Sequence, residues 1–209
     1  MAVPKILTRI LKEPWEVDPE LARLNLTRAK LLKVRTMALG AAADATGYHA
    51  ANAAGTFSYH GGIYGLRDEL VGEHWRQDRP NGIEAVRNDA KNVILSFVNV
   101  DLACNDMHNP VPRSKKGSGA EKVSQGKGLF DDLPAFAEAP TSPYAFYYLM
   151  VDEQGAVELS RPVVKYQTFS AFIDRIYLSS GDDFDGASRS FDEDETPMDF
   201  DPQVLRKAS

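Results

Sequence analysis

The stretch Tyr144-Ala145-Phe146-Tyr147-Tyr148-Leu149-Met150-Val151-Asp152-Glu153-Gln154-Gly155-Ala156-Val157-Glu158-Leu159-Ser160-Arg161-Pro162-Val163-Val164 decides the fold class. Two runs rich in aromatic and β-branched residues flank the turn residues Asp152-Glu153-Gln154-Gly155, which is the pattern of a β-hairpin. Tyr144, Phe146 and Tyr148 share one face by the period of two. A second hairpin is expected upstream, with Ile83 to Arg87 and Asn92 to Val100 joined by Asn88-Asp89-Ala90-Lys91. Val93, Leu95 and Phe97 fall on one face of its second strand, and Ile94, Val98 and Val100 on the other. Apolar residues on both faces place that strand inside a sheet. Downstream, Thr168 reads as the cap of a helix carrying Phe169, Phe172, Ile173, Ile176 and Tyr177 on one face. That helix is expected to pack on the aromatic face of the hairpin.

Working toward the N-terminus, the period changes from two to 3.6. A helix is expected to begin near Asp18, with Pro19 at its first position, and to run to Gly40. Arg28 and Arg35 sit inside its apolar arc. Ala41 to Ala54 is alanine-rich and continues the helical pattern across Gly47. A second helix is expected from Tyr59 to Val71, where Gly61, Gly62 and Gly65 invite close approach of another element. Helices before Val71 and strands after Ile83 predict an α+β fold. The expectation is N-terminal helices, an antiparallel sheet of at least four strands, a C-terminal helix packed on it and an acidic tail. It divides the chain into a leader (1–17, with a short helix at most), one domain (18–180) and the tail (181–209).

The 209 residues are 43% apolar and 26% charged, enough for a buried core. No run of eighteen apolar residues reads as a membrane span. Met1 to Lys12 lacks the pattern of a secretory signal, and Cys104 is the single cysteine, so a cytoplasmic location is expected. Charge is uneven. Gly181 to Pro202 holds nine acids against Arg189, a net charge of −8, whereas Met1 to Arg35 and Pro112 to Gly128 are each +4. An acidic tail with Phe184, Phe191 and Phe200 therefore follows a mildly basic body, and could dock on Arg28, Arg35, Lys115 or Lys116.

The segment from Pro112 to Gly128 resembles no complete phosphate-loop pattern. Gly126-Lys127 has Glu121 at the earlier glycine position and Gly128 at the hydroxyl position. What it offers is a basic Gly/Ser/Lys loop that can touch phosphates without reading sequence. Asp101, Cys104, Asp106 and His108 are ligand types without a zinc spacing. Glu69, Glu84 and Asp101 could supply a metal-dependent phosphodiesterase only if they converge. No cofactor motif is evident, and no residue is assigned a catalytic or metal-binding role. The favoured reading is a non-enzymatic binding protein whose partner is nucleic acid or another anion. Its expected contacts are Arg28, Arg35, Arg113, Lys115, Lys116 and Lys122. The alternatives are a protein-interaction or inhibitor module acting through the acidic tail, and a metal-dependent hydrolase.

Overall fold

The computed structural model describes residues 7–117, 120 and 143–184. After strand β1 (Arg9–Leu11) come helices α1 (Pro14–Arg23), α2 (Arg28–Ala43) and α3 (Ala53–Leu70). Strands β2 (Arg76–Asp78), β3 (Ala85–Asn88), β4 (Val93–Asn99), β5 (Ala145–Val151), β6 (Val157–Lys165) and β7 (Thr168–Ser179) follow. The strands form one seven-stranded sheet in the order β1-β7-β6-β5-β4-β3-β2. The α+β expectation and both hairpins are present, since β3 pairs antiparallel with β4, and β5 with β6.

The sheet is mixed rather than antiparallel. β4 and β5 run parallel, as do β1 and β7. The long connection between Val100 and Tyr144 gives the chain the length it needs to return and pair β5 parallel to β4. The segment expected as a leader enters the fold: Arg9–Leu11 pairs with Asp174–Ile176, and Val17 is fully buried.

The expected C-terminal helix is strand β7, the largest correction. Its pairing with β6 slips between Val163 and Val164 and again between Arg161 and Pro162. Each bulge inserts a residue, so side chains three apart return to the same face. Phe169 and Phe172 thus join one core cluster while Ile176 and Leu178 join the cluster on the opposite face. Pro162 is accommodated at one of these irregularities.

The expected helix from Asp18 is two helices. Pro14 occupies the first turn, and the Glu16 side chain accepts a hydrogen bond from the Glu13 N–H at 3.4 Å. Pro19 lies inside α1. The chain breaks at Asn25, whose φ is 57°, and restarts where Thr27 Oγ1 accepts the Lys30 N–H. Trp75 fixes the break by donating to the Asn25 carbonyl at 3.1 Å. A second break spans the alanine-rich segment between Ala43 and Ala53.

Two apolar layers result. On one face, Val34 and Ala38 of α2 and Ile63 and Leu66 of α3 pack on Leu95, Phe97, Leu149 and Leu159. α3 approaches its neighbours through glycines: a Cβ at Gly61 would come 2.8 Å from Ala41 Cβ of α2, and one at Gly62 2.4 Å from the Phe97 ring of β4. On the other face, Ile94, Val98, Phe146, Tyr148 and Met150 pack with Phe169, Phe172, Ala103 and Ala120. Rings of Phe146, Tyr148, Phe169 and Phe172 follow one another at 5.0, 5.5 and 5.8 Å. No helix among the described residues is long and apolar enough to cross a membrane.

Candidate anion-binding cleft

The segment after β4 crosses the second face of the sheet, and buried acids fasten it there. Asp152 accepts the Ala103 N–H at 3.0 Å, and Glu158 accepts the Cys104 N–H at 2.7 Å. Glu158 also receives Arg175 at 2.7 Å, and Arg175 in turn donates to the carbonyls of Asn105 and His108. Beyond an isolated bridge from Val100 to Pro112, the segment reaches the β6–β7 turn. There the Lys116 N–H donates to the Gln167 carbonyl at 2.8 Å. Tyr166 and Gln167 both have positive φ, which lets two residues close that turn.

This strap sets the Lys116 side chain over aromatic rings. Its Nζ lies 5.2 Å from the Tyr148 ring centre and 5.7 Å from that of Phe169. Burial lowers the Lys116 pKa to about 8, because an ammonium loses hydration there. Burial also raises the Tyr148 and Tyr59 hydroxyls above their ordinary values, so both stay neutral near pH 7. Lys116 makes no ion pair among the described residues.

Beside Lys116 is a cleft of about 280 Å³. Its position follows from the sheet. β3 begins at Ala85, opposite Ser96, so Phe97 to Asn99 have no β3 partner. The gap is bounded by Tyr59 of α3, the Asn81–Ile83 turn, Ser96 and Phe97, Tyr148, and Ser114–Gly117. Among the described residues no acidic residue lines it, and Lys115 and Lys116 are its charged residues. Glu84, next in sequence to the cleft residue Ile83, is held by Arg67 and by Arg79, the latter at 2.8 Å.

No known protein family, curated protein or solved structure matches this chain. The site therefore rests on its own geometry. Of the six expected contacts, the structure brings Lys115 and Lys116 together at the cleft. Arg28 is turned inward, donating to the Leu178 carbonyl at 2.5 Å with Asp18 at 3.5 Å. Arg35 is 4% exposed and bound to Asp183, so it corrects the picture of a basic helix presenting both arginines. An apolar-arc position is where a long side chain runs into the core and its charge needs a partner. Arg113 pairs with Glu153. Lys122, the Gly126-Lys127 pair and tail residues 185–209 lie outside the described residues.

The candidate metal ligands separate. Glu69 faces Lys33, Glu84 faces Arg67 and Arg79, and Asp101 faces His108 at 2.9 Å. Asp106 binds Lys12 and Tyr177, while Cys104 Sγ donates to the Val157 and Ser179 carbonyls. Burial raises that thiol to about 12. No group of three or more His, Cys, Asp or Glu forms among the described residues. Sequence reading missed Tyr59, Ile83 and Ser96 as cleft residues. Asn81-Gly82 was visible as a turn, but nothing local tells that the turn leaves Phe97 to Asn99 without a β3 partner.

Proposed function

We propose that the chain is a non-enzymatic binding protein that receives a nucleic-acid phosphate between Lys115 and Lys116. One observation carries the reading: a largely buried ammonium stands over two rings, beside a cleft that, among the described residues, has neither an acidic lining nor an ion-pair partner for it. A buried cation costs stability unless it is paired. An anion entering the cleft supplies that pairing, and the cation–π contacts with Tyr148 and Phe169 hold the ammonium in place meanwhile.

The interface proposed is smaller than the sequence suggested. Arg28, Arg35 and Arg113 have partners within the chain, which leaves two lysines at one point rather than a track along a helix. Salt dependence measures this difference. For single strands, two phosphate contacts give a slope of log K against log salt of about −1.4, and six give about −4. Fluorescence anisotropy with a labelled single strand, for the full chain and for Lys115→Glu, tests the proposal. A shallow slope that the substitution abolishes supports it. A steep slope indifferent to Lys115 overturns it.

One contact bears on the acidic-tail reading. Asp183 and Phe184, at the start of the tail, are already engaged by Arg35. That contact holds the first residues of the tail on the chain itself rather than on a partner.

A further inference from the structure

We propose that the cleft takes a nucleoside monophosphate, free or at the end of a nucleic-acid strand. This rests on the anion reading above and names the class of ligand. The lining of the cleft combines two chemistries. Lys115, which is exposed, and Lys116, which is largely buried, are the charged residues of its lining, and no acidic residue lines it among the described residues. A phosphomonoester carries about −1.5 to −2 charges at pH 7. It satisfies two cations where a phosphodiester or a carboxylate brings one charge.

Tyr59, Ile83 and Phe97 bring apolar groups to the lining, and Asn81 and Ser96 add hydrogen-bonding groups. That mixture suits a flat ring with a polar edge better than a hydrocarbon. The Ser96 hydroxyl spends its proton on the Glu84 carbonyl at 2.8 Å, so toward the cleft it is an acceptor. The floor is fixed, because Phe97 lies against the bare backbone of Gly62. A volume of about 280 Å³ is at the small end of ligand sites. It matches one nucleotide and not a run of them.

The test uses calorimetry on the full chain with AMP, adenosine and inorganic phosphate. It adds competition by short single strands with a 5′-phosphate or a 5′-hydroxyl. AMP is expected to bind at least tenfold more tightly than adenosine or phosphate. Lys115→Glu, at an exposed position, should weaken AMP at least tenfold with the melting temperature unchanged. Preferential competition by the 5′-phosphorylated strand identifies a strand end as the source; competition by AMP alone identifies the free nucleotide. Phosphate binding as well as AMP, or single strands binding through Lys115 while AMP does not, overturns this inference and leaves the anion reading standing. If no anion binds in a manner that depends on Lys115 or Lys116, both fail.

Discussion

Asp183 grips Arg35 with both carboxylate oxygens, at 2.8 and 3.1 Å. Arg35 projects from α2, is 4% exposed, and also donates to the Gly155 carbonyl and the Ser179 hydroxyl. Phe184 covers the guanidinium, its ring centre 5.0 Å away. The chain is bent into this position at Gly181, whose φ is 97° and whose Cβ would meet the Gln154 carbonyl at 2.7 Å.

The first prediction concerns acid. The hydrogen bond from Arg35 lowers the Asp183 pKa to about 2. A carboxylate lowered on folding contributes stability above its unfolded value, near 3.9, and loses it as pH falls toward the folded value. Asp183→Asn should cost about 1 kcal/mol at pH 7, a modest amount because the carboxylate is half exposed and screened. The deficit should stay constant from pH 7 to 5 and shrink below pH 4. Urea titrations at a series of pH values check this; a deficit unchanged at pH 3 would show that the carboxylate charge is not what Arg35 needs.

The second prediction concerns Glu158 and Arg175, whose side chains are 0% and 1% exposed. Removing one partner leaves a buried charge alone, and typically costs about 3–5 kcal/mol. Glu158→Gln should fall in that range and should also loosen the segment at Cys104, Asn105 and His108, whose backbone depends on the pair. The double variant Glu158→Leu with Arg175→Met should cost less than the two single changes together. Denaturant unfolding of all forms closes the cycle, and strict additivity would contradict a coupled pair.

Phe172 and Ile176 test the strand that replaced an expected helix. Both are buried, and each change to Ala should cost about 2–5 kcal/mol. A helix would set them on one stripe, in contact and coupled. In β7 they belong to clusters on opposite faces of the sheet. The double variant should therefore be additive within about 0.5 kcal/mol. Coupling above about 1 kcal/mol would restore the helix.

These residues also show what the sequence made legible. Alternation in β4 and β5 sorted Leu95, Phe97, Phe146 and Tyr148 correctly, because the two strands pair with each other over their whole length without a bulge. β7 misled because two bulges turned a period of two into intervals of three, and Phe169 and Phe172 then mimic a helical stripe. The break at Asn25 hid inside an apolar run, since Leu24 and Leu26 are both buried. Lys115 and Lys116 were visible as charge. That Lys116 lies over Tyr148 depends on a hydrogen bond to Gln167, fifty-one positions away, which no local pattern carries.

The last prediction sets stability against binding at Lys116. Its ammonium is destabilised by burial, and its pKa falls from 10.5 to about 8. Between pH 8 and 10.5 the unfolded chain holds this proton and the folded chain does not, so stability rises with pH over that interval. Below about pH 8 the folded protein bears the full cost of the buried charge. Lys116→Met removes the charge and keeps an unbranched side chain against Tyr148 and Phe169. It should stabilise the protein at pH 7 by about 1–3 kcal/mol, with the absence of cation–π attraction offsetting part of the gain. The advantage should fade as pH approaches 10.5, where the wild-type lysine is increasingly neutral in both states. The same substitution should weaken anion binding at pH 7. In the wild type, affinity should fall above pH 8 as Lys116 loses its proton. Burial raises both the Tyr148 and Tyr59 hydroxyls, which disfavours their anionic forms in the cleft. Denaturant midpoints and anion titrations for both forms between pH 6 and 10 measure the two effects together. A Lys116→Met protein that is less stable than wild type at pH 7 would make the lysine a structural strap. One that is more stable but binds anions as before would move the binding site elsewhere.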